Sequence, residues 1–225
     1  MAIDYTKKPP MPGTGSPGGV SLSKVTLTKS APTVSLTKQA GGGGLLRVNL
    51  NWNSRPQGGG GGLFKRREAA IDLDLGCLYE FTDGTKGVVQ ALGNSFRATA
   101  RGAAGPTVWL DGDDRSGSNS AGENLFVDLA QAASIQRLLV FAYIYEGAAN
   151  WAGASGLVTL FPAAGPEIEV HLDEPRDGAR TCAIALLTPS AGSLSVQREI
   201  RYVDGTQAQL DQAYNWGIRW GTGRK

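Results

Sequence analysis

Ile71-Asp72-Leu73-Asp74-Leu75-Gly76-Cys77-Leu78-Tyr79-Glu80-Phe81 is the stretch that decides the fold of this 225-residue chain. Ile71, Leu73, Leu75, Cys77, Tyr79 and Phe81 fall on one face of an extended backbone, and Asp72, Asp74, Gly76, Leu78 and Glu80 on the other. A period of two over so many positions defines a β-strand, because successive side chains of a strand point to opposite sides. Asp83-Gly84 then supplies a hairpin turn, with a return strand expected over Val88 to Leu92.

The same pattern recurs outward in both directions. Downstream, strand-like runs cover Thr107 to Leu110, Asn124 to Leu129, Arg137 to Tyr145, Leu157 to Phe161, Glu167 to Leu172, Thr181 to Leu187 and Ser193 to Val203. Turn residues separate them at short intervals, which favours a sandwich or barrel over alternating strands and helices. Upstream, Ser21-Leu22-Ser23-Lys24, Thr26-Leu27-Thr28-Lys29 and Ser35-Leu36-Thr37-Lys38 form a small repeat that reads as edge-forming strands, broken at Ala31-Pro32. One helix is expected near the C-terminus, where Thr206 and Gln209 form a capping box ahead of Leu210, Ala213 and Tyr214. Tyr214, Trp216, Ile218 and Trp220 alternate after it and predict a final strand that closes the core. The fold class is therefore all-β, a sandwich or barrel with one short C-terminal helix.

Composition bounds the rest. Glycine supplies 32 residues, about twice the usual share. Residues 1–19 are rich in Pro, Gly and Ser and read as a disordered tail, with one domain over 20–225. Gly41 to Gly44 and Gly58 to Gly62 read as loop insertions, the second as a mobile loop. The second lacks the Gly-Lys-Ser/Thr that would close a phosphate-binding loop. A net charge of +2 gives no field for drawing in nucleic acid, and Lys65-Arg66-Arg67 is too short a basic run to change that. No apolar run is long enough for a signal core or a membrane span, so a cytoplasmic protein is expected. Cys77 and Cys182 sit in apolar runs and read as buried thiols of a reducing compartment.

His171 is the single histidine, and no nucleophile elbow accompanies it. Zinc sites built on two histidines and a hydrolytic triad lose their basis, and no enzyme is expected. The carboxylates read instead as oxygen donors for a hard cation. Asp72 and Asp74 project from one strand face, roughly 7 Å apart along the backbone. The segment Asp111-Gly112-Asp113-Asp114-Arg115-Ser116-Gly117-Ser118-Asn119-Ser120-Ala121-Gly122-Glu123 gathers carboxylates, amides, hydroxyls and glycines. Calcium accepts six to eight such oxygens in flexible geometry. Arg115 and Gly122 fall where an EF-hand needs ligands, so this is no EF-hand. On composition the loop reads equally as a solvated acidic turn.

At these residues the chain resembles the TerD family of tellurium-resistance, calcium-binding bacterial stress proteins. Val20-Ser21-Leu22-Ser23-Lys24 and Val34-Ser35-Leu36-Thr37-Lys38 are similar to its N-terminal strands, Asp72-Leu73-Asp74 to its Asp-Leu-Asp strand, and Gly112-Asp113-Asp114-Arg115-Ser116-Gly117 to its Gly-Asp-Asn-Arg-Thr-Gly loop. The resemblance runs from about residue 20 to the end. It implies a two-sheet β-sandwich that holds Ca2+ through Asp72, Asp74, Asp113 and Asp114, with Glu123 aligned on the family's loop Glu. It also implies other proteins of the same stress system, or further copies of this chain, as partners. Ala121 and Gly122 fall where the family has two aspartates, and Trp52-Asn53 replaces its Trp-Asp. Fewer carboxylates weaken calcium binding, so a structural or assembly module with a weakened or lost metal site is the alternative.

Overall fold

In a computed structural model, residues 24–36, 43–53, 70–111, 122–147, 149–176 and 178–221 are described. The strands are β1 (Lys24–Thr26), β2 (Thr33–Ser35), β3 (Leu45–Asn51), β4 (Asp72–Phe81), β5 (Lys86–Val89), β6 (Arg97–Ala98), β7 (Val108–Leu110), β8 (Glu123–Asp128), β9 (Ile135–Glu146), β10 (Gly156–Phe161), β11 (Glu167–Leu172), β12 (Thr181–Ser190) and β13 (Ser193–Val203). Two short helices join them, α1 (Trp151–Ala154) and α2 (Gln207–Ala213). One sheet runs β1-β11-β10-β3-β8-β7-β6 and the other β2-β13-β12-β9-β4-β5. Pairing is antiparallel except where β1 joins β11 in parallel. The alternation seen in the sequence thus yields the expected two-sheet β-sandwich.

The sandwich interior takes one side of every strand. Leu46, Val48 and Leu50 of β3, Leu125 and Val127 of β8, and Val158 and Leu160 of β10 meet Leu73, Leu75 and Cys77 of β4 and Leu138 and Val140 of β9. The lysine-bearing repeat does form edges, one strand on each sheet: β1 pairs with β11 and β2 with β13. Lys24 is tied to Glu169 at 2.6 Å there. Residues 21–23 of its first copy and the loop insertion at 58–62, like the N-terminal tail, lie outside the described residues.

The outer face of the second sheet departs from expectation. Leu78, read on the polar side of β4, is fully buried with Leu139, Phe141, Tyr143, Leu210 and Trp216. The cover is α2, whose Thr206–Gln209 capping box forms as read, followed by an irregular segment where the final strand was expected. Asp211 is buried and accepts from the Gly217 and Ile218 amides at 2.6 and 2.9 Å and from the Trp220 indole at 2.6 Å. Arg137 donates to the Tyr214 and Asn215 carbonyls, both at 3.2 Å. Side chains have taken the backbone partners that a strand ladder would need, and positive φ at Asn215 and Gly217 breaks the extended run.

Among the described residues no helix is long and apolar enough to cross a membrane. Cys77 and Cys182 are free thiols, fully buried, and loss of hydration pushes both pKa values up. Neither thiol is expected to react with Ellman's reagent in the native protein, and both should react in denaturant; native reactivity would show that the interior opens.

Candidate functional site

Three carboxylates of the predicted set are described, and all are buried: Asp72 (9% exposed), Asp74 (0%) and Glu123 (3%). Asp72 and Asp74 share the outward face of β4, as their spacing requires, and Asp74 accepts a hydrogen bond from the Tyr143 hydroxyl on β9. Glu123 belongs to the other sheet and lies on the inward side of β8, in phase with Leu125 and Val127. It crosses the interior to accept the Leu75 amide at 2.6 Å. That amide is open because β5 pairs with β4 only from Cys77 onward. The acidic first half of β4 is therefore bounded on one face by Tyr143 and at its edge by Glu123.

The loop between β7 and β8 springs from this place. Asp113 and Asp114 lie outside the described residues, but both ends of their loop are well defined. Asp111 donates its amide to the Asn124 carbonyl at 3.1 Å, and its carboxylate accepts from the Asn124 side chain at 2.9 Å. Asn49 donates to Asn124 at 2.9 Å, and Asn51 donates to Asn49 at the same distance. These amides are a part of the loop base that sequence reasoning missed; the alternation of Asn49 and Asn51 with Val48 and Leu50 was its only signal. Gly122, at φ 67°, re-enters β8 against β3, where a Cβ atom would stand 2.2 Å from the Leu50 carbonyl oxygen. Trp52 donates to the Ile71 carbonyl at 3.0 Å and joins the end of β3 to the start of β4.

Among the described residues no group of three His, Cys, Asp or Glu side chains is gathered closely enough to hold a metal ion. Carboxylate and amide oxygens of this kind suit a hard cation such as calcium better than zinc or copper. His171 is an exposed residue of β11.

The fold and this acidic strand define a class: a two-sheet β-sandwich whose carboxylates are carried by a strand and the base of a loop from the facing sheet. No family model matches the chain. Tellurium resistance protein TerA of an Alcaligenes species is 43% identical to it over 208 residues, 92% of this chain and 60% of that protein. The chain thus spans about three fifths of that relative's length. A homologue of telluride resistance protein (TerD) from Streptomyces coelicolor A3(2) shares the fold at a TM-score of 0.52 and 19% identity, covering 73% of this chain and 92% of that one. A protein of unknown function shares it at a TM-score of 0.55 and 16% identity, covering 74% and 94%. The chain is thus similar in sequence to a tellurium resistance protein over most of its own length, and it shares its fold with the TerD homologue.

Proposed function

We propose that this chain is a calcium-binding β-sandwich module of a bacterial stress and tellurite-resistance system, acting in the cytoplasm and not as an enzyme. Asp72 and Asp74 of β4, Glu123 of β8 and the loop carboxylates Asp113 and Asp114 are the residues assigned to the metal. The observation that carries this reading is that Asp72 and Asp74 are buried on β4, while Glu123, at the start of β8 where the acidic loop ends, reaches the β4 backbone at Leu75. Burying a carboxylate costs several kcal/mol unless charge or hydrogen bonds compensate it. Hydrogen bonds from the Tyr143 hydroxyl to Asp74 and from the Leu75 amide to Glu123 supply part of that compensation; bound calcium would add its charge and cross-link loop to strand. The three described carboxylates form no metal group by themselves, so this reading requires the loop residues. The assignment to tellurium resistance is supported by the name of the Alcaligenes relative, and other proteins of such a system are the proposed partners.

Calorimetric titration tests the metal. Calcium at a hundredfold excess over its dissociation constant is expected to raise stability by about 2.7 kcal/mol, read as a shift of the denaturation midpoint that a chelator reverses. Asp74→Asn and Asp113→Asn should each weaken binding at least about tenfold, since ligand charge sets calcium affinity. No heat at millimolar calcium would overturn the assignment.

A second reading keeps the sandwich as an assembly module with a lost metal site. Gly122 favours it, because the Leu50 carbonyl leaves no room for the side chain that the family pattern places there. Stability and assembly indifferent to both calcium and chelator would decide for it.

A further inference from the structure

The outward face of the first sheet carries a row of five side chains that cross-strand register sets side by side. Arg97 of β6 pairs with Trp109 of β7, Trp109 with Phe126 of β8, Phe126 with Arg47 of β3, and Arg47 with Phe161 of β10. All five alternate with core residues, so they stand on the face away from the interior. None is buried, and Leu45, 46% exposed, adds apolar surface two residues before Arg47. Trp109 and Phe126 are stacked, with centroids 5.4 Å apart and planes at 16°. The Arg47 guanidinium lies 3.9 Å over the Phe161 ring and also donates to Asn124 at 3.2 Å. The row is thus held in place before anything meets it. The opposite sheet covers Phe141 and Tyr143 on its outward face with α2 and Trp216, whereas in this row Arg97 is exposed and the other four side chains are half-buried.

The order of the row identifies its partner. It reads cation, aromatic, aromatic, cation, aromatic. Reversed and laid on itself, each arginine meets a ring: Arg97 faces Phe161, Arg47 faces Trp109, and Phe126 faces its own counterpart. A two-fold axis along β8 and between two face-to-face sheets performs this operation, since it reverses the strand order while keeping position along the strands. An isologous dimer demands a patch that complements itself under a two-fold axis, and arginine is attracted to the faces of aromatic rings.

We infer that a second copy of this chain docks on this face, giving a two-fold dimer centred on Phe126. None of the row's residues is among those assigned to the metal: Asp72 and Asp74 are on the other sheet, and Glu123 lies on the inward side of β8, although the loop of Asp113 and Asp114 joins the same two strands, β7 and β8. Five strands spaced about 4.8 Å apart give a patch roughly 20 Å wide. That places the contact near the lower limit for a specific interface, so the dimer exchanges with monomer and depends on concentration.

Sedimentation velocity across a concentration series, with calcium and with chelator, is the test. A monomer–dimer equilibrium is expected, unchanged by chelator and weakened at least about tenfold by Phe126→Glu or Arg47→Glu. Arg97→Glu, on the exposed edge strand, is the variant least able to disturb folding and should weaken dimerisation as well. In a Phe126→Cys variant a short bis-maleimide should capture a covalent dimer, while Thr85→Cys, in a turn of the other sheet, should give none. A chain that stays monomeric at its highest soluble concentration overturns the inference. So does a dimer insensitive to all three charge substitutions, and calcium titration reports separately on the metal reading.

Discussion

Trp216→Ala is expected to destabilise the protein by about 3–5 kcal/mol, the cost of emptying a core indole site. Trp216 is fully buried on the outer face of the second sheet, among Leu78, Leu139, Phe141 and Leu210. It is also the point where three elements are tied to the sheet. Its indole donates to the Tyr79 carbonyl on β4 at 3.0 Å. Arg137 of β9 lies 3.9 Å over its ring, held by Glu80 at 2.7 Å, and Lys86 of β5 donates to its carbonyl at 2.8 Å. Truncation opens a cavity, releases the Arg137 stack and leaves the Tyr79 carbonyl without its donor. Trp216→Phe separates these effects. It keeps most of the volume and should cost about 1–3 kcal/mol for the unpaired carbonyl. Trp220→Ala, at a half-buried position, should cost less than Trp216→Ala. Urea denaturation followed by circular dichroism reads all three. A cost below about 1 kcal/mol for Trp216→Ala would mean that the 214–220 segment is only loosely attached.

That segment also marks where sequence reading stops working. Its alternation is as regular as that of β4, yet β4 is a strand and 214–220 is not. Periodicity reports which side chains seek burial. It does not report where the backbone finds hydrogen bonds, and here Asp211 and Arg137 supply them. The capping box at Thr206 was legible because all its partners lie within four residues. The pairing of Asp72 with Asp74 was legible for the same reason. Glu123 was placed in the metal set by resemblance alone, and no spacing indicates that it reaches the Leu75 amide across the sandwich. The aromatic row is the extreme case. Each member sits on the outward side of a recognisable strand, but the row exists only once the order β6-β7-β8-β3-β10 is known.

Gly122→Ala is the second large effect expected, and it tests whether the loop base and the acidic strand act as one unit. At φ 67° a Cβ costs about 1–2 kcal/mol in any chain. Here it would also stand 2.2 Å from the Leu50 carbonyl oxygen and 2.9 Å from Asn51 Oδ1. Leu50 cannot retreat, because β3 is paired on both sides, with Glu123 of β8 and Val158 of β10. The strain must then be relieved by moving residue 122, and with it the start of β8. Gly84→Ala is the control, with a φ of 83° and nothing within 4 Å of the added atom. It should show the backbone cost alone, and Gly122→Ala should exceed it by at least about 1 kcal/mol, as for overpacking of a close contact. Displacing β8 also shifts Glu123, whose hydrogen bond secures the open edge beside Asp74. Amide hydrogen exchange at Leu75 should therefore accelerate in Gly122→Ala and remain unchanged in Gly84→Ala. Equal destabilisation by the two variants, with Leu75 equally protected, would show that the loop base moves independently of β4. A metal site shared between them would then lose its structural support.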